Sequence, residues 1–587
     1  MAVGVSPIDE LFDAADRARG AADTLPARDR GADIPPARRV RLPGQISPPP
    51  SPPTARPRRR GRLLWSLALT GIGAAIAIML GVSAVGPSKA VERIPAHYSG
   101  PPWQYPLHVS SSTVTTPLWV ATVLGALGVA AGLLAVSRGA RPKPRFLVGA
   151  ALVVAAAFTV LPAAGSSDVL DYAAYGRMVT IGHSPYQMTP LQLRETGDPV
   201  GMAAPTAWEQ VHSDYGPLAT VEQAVAAKLG GPSAARIVFW LRLWNTLAFA
   251  VVVLTLDRML RSHPGRRVRA HLLWSLNPLL LWDLVAAGHL DTIATALALL
   301  AILATAPPQL WPTWIRDLLT GRQLRSRPFL VAETGTTTGR PGGKRWSPPA
   351  SRPGMVQAAI AGAFVGAATD VKITYAIAGL AVAWAVRGSW RTLLAAAAGA
   401  LAVLAPSYLW FGKPALTVLF NHRAATNDTW YRLFSASLLH PGLPQLALLI
   451  GPLMIIVAGA LLWRLPEGFP AVPAVKLTLA LGVAWMLTWP YQRPWYDALV
   501  LCLLALYPAS RLDWPVLLQL AATTFFYMPG MPGRAPQGWQ RAVHDFQLYL
   551  AMPAIRLGVL VAVLVLCATG AWYSRRSAQW QGAPLLG

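Results

Sequence analysis

From Leu63 onward the chain runs as long apolar stretches separated by short polar, basic or proline-bearing breaks. A helix of about twenty apolar residues spans a bilayer's hydrocarbon core. About fourteen such stretches are legible, near 63–85, 117–136, 145–164, 235–256, 270–287, 289–306, 355–369, 371–386, 392–411, 443–463, 474–490, 496–510, 513–529 and 549–573. The pairs meeting at Gly288 and at Asp370 leave almost no break, so they read as tight hairpins. The pattern predicts an all-α, polytopic integral membrane protein of about fourteen transmembrane helices over 63–573, with a long loop, 165–234, after the third. Residues 1–62 lack sustained apolar periodicity, are rich in Pro, Ala, Arg and Asp, and read as a disordered cytoplasmic tail. The first apolar run starts too late and runs too long for a signal peptide, and reads as a membrane anchor.

Composition agrees. The chain is 53% hydrophobic and 13% charged, with mean hydropathy +0.40, where soluble domains carry roughly 25% charged residues. The net charge of +25 would suit nucleic acid if it were gathered in one stripe, but it flanks the apolar runs, so no nucleic-acid partner is expected. Basic residues that flank membrane spans gather on the cytoplasmic side. With a cytoplasmic N-terminus, the inner segments hold about 36 Lys/Arg against about 12 Asp/Glu, and the remainder about 15 against about 14. Those inner segments include Arg138–Arg145, Arg258–Arg269, a basic 307–354 loop and a 574–587 tail. The map places the 165–234 loop on the outer face of a plasma membrane, with Gly288–Asp291, Asp370 and Tyr491–Trp495. Cys502 and Cys567 lie inside apolar runs without metal or redox spacing.

Candidate chemistry gathers on that outer side. Asp168 and Asp171, in Ser166-Ser167-Asp168-Val169-Leu170-Asp171-Tyr172, share one face of a helix starting at Ser167; the motif reads either as a solvated helix cap built on Ser167 and Asp168 or as a general base drawn toward the membrane. Farther along the loop stand Tyr175-Gly176-Arg177, Gly182-His183-Ser184-Pro185-Tyr186, Trp208-Glu209 and His212-Ser213-Asp214-Tyr215-Gly216-Pro217, aromatics interleaved with polar groups that suit sugar rings or interfacial anchoring equally. Asn277-Pro278 leads through Asp283, an intramembrane carboxylate, to Gly288-His289-Leu290-Asp291, where Asp291 reads as a cap or a ligand. Lys372, in Asp370-Val371-Lys372, needs an anion, supplied by Asp370 or by a bound lipid phosphate. Arg423, Arg432 and Arg493 stand near aromatics in later outer loops. No HExxH, CxxC or strand-borne GxGxxG occurs, and Gly343-Lys344-Arg345 lacks the Ser/Thr of a P-loop.

Together these residues resemble the membrane-embedded GT-C glycosyltransferases, most closely the actinobacterial polyprenyl-phosphate-mannose-dependent alpha-1,6-mannosyltransferases. The resemblance lies in Ser167-Asp168-Val169 with Tyr172, Pro185-Tyr186, Tyr215-Gly216-Pro217-Leu218, and Asn277-Pro278-Leu279-Leu280 leading to Gly288-His289-Leu290-Asp291. It implies a GT-C-like fold and transfer of a hexose, mannose above all, from a polyprenyl phosphate lipid to a glycan or glycolipid in cell-wall lipoglycan synthesis. It implies Asp168 as base; Asp171 lies outside the shared pattern and stands second. Tyr172, Arg177, Tyr186, His212, Tyr215, His289, Asp291, Lys372 and Arg493 are the expected substrate-binding residues, with Lys372 and Arg177 or Arg493 on the departing phosphate. No cofactor is expected. A divalent ion near Asp168 and His212 stays open, because nothing there has metal-ligand spacing strong enough to claim one. The rival reading is a transporter or flippase of lipid-linked sugars, against which stands the lack of a repeat between 63–310 and 355–573.

Overall fold

The computed structural model describes residues 59–307 (except 93, 95–99, 106 and 108), 311, 353–419, 429–434, 443–465, 472–529 and 538–572. Nearly all of the expected tail, most of the 307–354 loop, Arg423 and the 574–587 tail lie outside them. Among the described residues there is no strand, only an isolated antiparallel bridge between Val91 and Ala164.

The chain opens with α1 (Arg59–Ala84), α2 (Ser111–Ser137) and α3 (Pro144–Val160). The 165–234 segment is itself helical, as α4 (Asp168–Thr180), the short α5 (Pro190–Glu195) and α6 (Pro199–Ala203), and α7 (Pro217–Gly230). Then come α8 (Ala234–Met259), α9 (Pro264–Ala270), α10 (Pro278–Leu280), α11 (Asp291–Ala304), α12 (Met355–Val371), α13 (Ala376–Val386) and α14 (Trp390–Phe411). The last part holds α15 (Leu443–Arg464), α16 (Pro473–Thr488), α17 (Ala498–Leu506), α18 (Asp513–Tyr527), α19 (Trp539–Phe546) and α20 (Met552–Thr569). Starts are locally encoded. Proline fills the first turn of α3, α5, α6 and α7, where a missing N–H costs nothing. Thr189 and Gln192 exchange side-chain and backbone bonds to cap α5.

A helix occupies each of the fourteen expected segments, but length and apolarity single out fewer. Among the described residues, five helices can cross a membrane on those grounds, and a sixth if a bent pair counts as one span. That bent pair positions the candidate site. Pro264–Ala286 and Asp291–Ala304 meet at 113°, the chain turning through Gly288 at φ +76°. The first limb is irregular, with wide turns over His271–Ser275 and Leu281–Ala286 on either side of Pro278. Wide turns and a proline leave carbonyls without helical donors, which an apolar interior tolerates only if protein supplies replacements. It does. Asn245 Nδ2 donates to the Leu284 carbonyl at 2.7 Å, Ala164 N to the Ala286 carbonyl at 3.0 Å, and Arg242, fully buried, to the carbonyls of Val285, Leu161 and Phe158.

Two close approaches fix the 165–234 segment. Gly176 on α4 crosses α7 so tightly that a Cβ there would lie 2.1 Å from the Gln223 carbonyl oxygen. Gly216, just before α7, meets the end of α12, where a Cβ would lie 1.9 Å from the Asp370 oxygen. Gly149 on α3 has nothing within 4 Å of its Cβ position. Gly176→Val should therefore destabilise by at least about 1–3 kcal/mol through overpacking, whereas Gly149→Ala should be neutral or stabilising by up to about 1 kcal/mol. Thermal unfolding of the detergent-purified chain compares the two, and equal stability would contradict the packing described.

Candidate active site

α4 begins directly after a turn at Gly165 (φ +88°), whose Cα hydrogen side faces the Trp282 ring. Ser167 takes the N-cap position without a side-chain cap bond, so the capping reading of this serine does not hold. The two aspartates do fall in the first turn, where negative charge complements the helix dipole. Residues at i, i+3, i+4 and i+7 share a helix face. Asp168, Asp171, Tyr172 and Tyr175 follow that spacing, and all four line a cavity of about 310 Å³. Trp208, Asp214 and Tyr215 join them from the same segment, Lys372 from the end of α12, and Arg493, Trp495 and Tyr496 from just ahead of α17. The acids all come from the 165–234 segment and the cations from later in the chain.

Behind this lining the bend contributes His289 and Asp291, both buried. The His289 ring stacks on Trp495 at 3.5 Å and 17°, with Nδ1 3.8 Å from Asp168 Oδ2 and 3.5 Å from the Tyr172 hydroxyl. Tyr172 and Tyr215 hydroxyls are 3.1 Å apart. Burial, and after it the Asp168 charge, pushes the Tyr172 phenol well above its ordinary value, so it remains a neutral donor. Lys372 Nζ donates to Asp291 Oδ2 at 2.7 Å and lies 4.1 Å from the centre of the Tyr496 ring. Arg493 lies over Tyr491 and Tyr527, at 4.7 and 5.6 Å.

The structure thus brings together Asp168, Asp171, Tyr172, Tyr215, His289, Asp291, Lys372 and Arg493. Three expected residues stand elsewhere. Arg177 donates to Asp198 at 2.8 Å, because nine residues past Asp168 is about half a turn around the helix. Tyr186 forms a second layer, its hydroxyl donating to the Tyr215 carbonyl at 3.0 Å and bonding Thr220 at 2.8 Å. His212 is exposed beside the Gln187 carbonyl and does not line the cavity. The anion facing Lys372 is Asp291, not the neighbouring Asp370, which accepts from Ser407 at 2.6 Å. Asp291 is also not an N-cap, a position held by Leu290. Asp283 accepts from Thr524 at 2.6 Å and does not line the cavity. Trp485, Tyr496 and Tyr527 were not singled out by sequence, since an aromatic at the end of an apolar run reads equally as an interfacial anchor.

A helical membrane protein with an acid-and-cation cavity at one set of helix ends suits chemistry on a polar ligand beside a bilayer. The model of the alpha-(1->6)-mannopyranosyltransferase N-terminal domain, of the MptA_B family, matches residues 68–388, and the chain belongs to this family. It is 27% identical over 254 residues, 41% of this chain, to an alpha-(1->6)-mannopyranosyltransferase of Mycobacterium tuberculosis. It is 28% identical over 166 residues, 26% of this chain, to a probable alpha-(1->6)-mannopyranosyltransferase of Mycolicibacterium smegmatis. The matches span 42% and 30% of those relatives' own lengths. No solved structure matches. The family match contains every cavity residue named above up to Lys372, but not Arg493 or the later aromatics.

A buried charge left without its partner costs about 3–5 kcal/mol, whereas replacing both partners by apolar groups is often neutral. Asp291→Asn or Lys372→Met alone should therefore destabilise by about that much, and the Asp291→Leu, Lys372→Met pair by less than either. A double-mutant cycle from thermal or SDS unfolding reads the coupling, and additive losses would show that the pair does not act as a unit.

Proposed function

We propose that this chain transfers mannose from a polyprenyl phosphate lipid to a glycan or glycolipid acceptor at the outer face of the plasma membrane, along a fourteen-span path with a cytoplasmic N-terminus. The reading rests on one observation above all. A single cavity unites a part-exposed carboxylate, Asp168, with Lys372 and Arg493 and a wall of aromatic rings, drawn from distant parts of the chain. The names of the two mycobacterial relatives favour mannose and an alpha-1,6 linkage.

In this mechanism the acceptor hydroxyl binds against Asp168, which takes its proton as the oxygen forms a bond to the anomeric carbon. The bond from that carbon to the phosphate oxygen breaks on the opposite face, and the lipid phosphate leaves with the bonding electrons. Configuration is inverted, as when a carboxylate activates the attacking oxygen in inverting glycosidases. Lys372 and Arg493 offer N–H donors to the charge growing on the phosphate. Lys372 reaches it as one arm of an ion pair, since Asp291 already takes one of its three donors. His289, fixed by stacking on Trp495, and the Tyr172–Tyr215 pair hold the base and the sugar hydroxyls in register. Asp171 stands one turn behind Asp168 as the second carboxylate.

With the purified full chain, a polyprenyl phosphate-linked labelled mannose and an oligomannoside acceptor, Asp168→Asn should lower transfer by roughly 10²–10⁴-fold with unfolding temperature unchanged. Arg493→Gln should lower it by about 10–10³-fold. Full activity of Asp168→Asn would remove the base from the mechanism, and lipid-sugar movement across vesicles without product would favour the transporter.

The topology has its own test. His183 is exposed in the 165–234 segment, and Cys502 and Cys567 are buried. His183→Cys should react with an impermeant maleimide added to intact cells; labelling only after lysis would put the cavity on the cytoplasmic side.

A further inference from the structure

A second cavity, of about 510 Å³, shares no residue with the candidate active site. It forms where three breaks meet: the end of α2 with Arg141, the turn between α8 and α9, and the turn between α17 and α18. The candidate active site meets the start of α17 and the end of α18. The two cavities therefore stand at opposite ends of the same two helices. All three breaks belong to segments that the distribution of basic residues assigns to the cytoplasmic side.

The charge of this second cavity is one-sided. Arg141, Arg266, Arg269 and Arg511 line it, with Asp513 the single acid among the lining residues. Arg269 and Asp513 are nearly fully buried and close on each other through two bonds, one of 2.9 Å. Arg269 also donates to the carbonyls of Leu504 at 3.1 Å and Tyr507 at 2.8 Å. That pair forms a neutral, rigid floor. Arg141, Arg266 and Arg511 add three more guanidinium groups to the lining, with the hydroxyls of Ser137, Ser262 and Ser510 beside them. Another part of the lining is apolar, formed by Leu133, Leu134 and Val136 of α2 and by Trp514. Guanidinium groups recognise phosphate oxygens in paired hydrogen bonds, and basic pockets between helices on the cytoplasmic side suit anionic lipid headgroups. The apolar strip on a helix long enough to span the membrane adds a second requirement, a hydrocarbon chain attached to the anion.

We propose that this cavity binds an anionic phospholipid of the inner leaflet, with its phosphodiester among Arg141, Arg266 and Arg511 and its acyl chain along α2. Such a lipid would tie α2, the α8–α9 turn and the α17–α18 turn together, bracing from below the helices whose far ends carry the active-site cavity.

The test is binding, not transfer. The full chain, purified in neutral detergent, is titrated with phosphatidylglycerol, phosphatidylcholine or inorganic phosphate and read by native mass spectrometry. Wild type should prefer phosphatidylglycerol, and R266Q/R511Q should lose roughly thirtyfold of that preference, at about one kcal/mol per arginine. R266K/R511K should retain most of it. Should R266Q/R511Q fail to fold, R141Q reads the same contact with roughly fivefold loss. Equal binding of the two lipids, or an unchanged preference in R266Q/R511Q or R141Q, overturns the proposal. So does inorganic phosphate binding as tightly as phosphatidylglycerol, which would mark a soluble-anion site.

Discussion

The ion pair between Lys372 and Asp291 is the contact on which the arrangement of the candidate site depends. Lys372 sits where α12 ends and Asp291 where α11 begins, on the far side of the 113° bend. Neither charge is stable alone in an apolar interior. Joined, they fasten the bend to the end of α12, and the Tyr375 hydroxyl reinforces the knot by donating to the Asp291 carbonyl at 3.0 Å. His289, two residues ahead of Asp291, is thereby held against Trp495 and toward Asp168. A carboxylate on α4, a cation at the end of α12 and aromatics ahead of α17 share one space, and this single pair sets the position of the bend.

The bend carries a cost that the surrounding helices meet. A regular span satisfies its own backbone; the limb from Pro264 to Ala286 does not, and α8 supplies Arg242 and Asn245 to accept that burden. Both side chains are buried, so their polarity is explained by the backbone they serve rather than by any ligand. The same distinction separates the polar groups that line the cavity from those that serve the backbone. Asp168, Lys372 and Arg493 meet open space, while Arg242, Asn245 and the Arg269–Asp513 pair are spent on the protein itself.

The sequence shows where helices lie, because a membrane imposes a run length that water does not, and each expected segment holds a helix. Their grouping is less legible. Asp168, Asp171 and Tyr172 are readable as one face because helical spacing is fixed. Arg177 is a candidate for the departing phosphate, and the same helical spacing turns it away to Asp198. Asp370 was the near candidate for the anion facing Lys372, yet residues two apart do not face each other at a helix end, and the true partner stands 81 positions away. Tyr527 carries no signal at all, since nothing local distinguishes a cavity aromatic from one that anchors a helix in the headgroups.

At Gly216 the chain leading into α7 touches the backbone of Asp370, and its N–H reaches the Val371 carbonyl at 3.4 Å. One rim of the cavity is thereby stitched shut by main chain, with no side chain between the strands of the seam. The 165–234 segment and the end of α12 thus meet backbone to backbone at this point. The rest of the lining, with Tyr491, Arg493 and Tyr527, comes from later in the chain, so the cavity is closed by main chain along one edge and by side chains elsewhere.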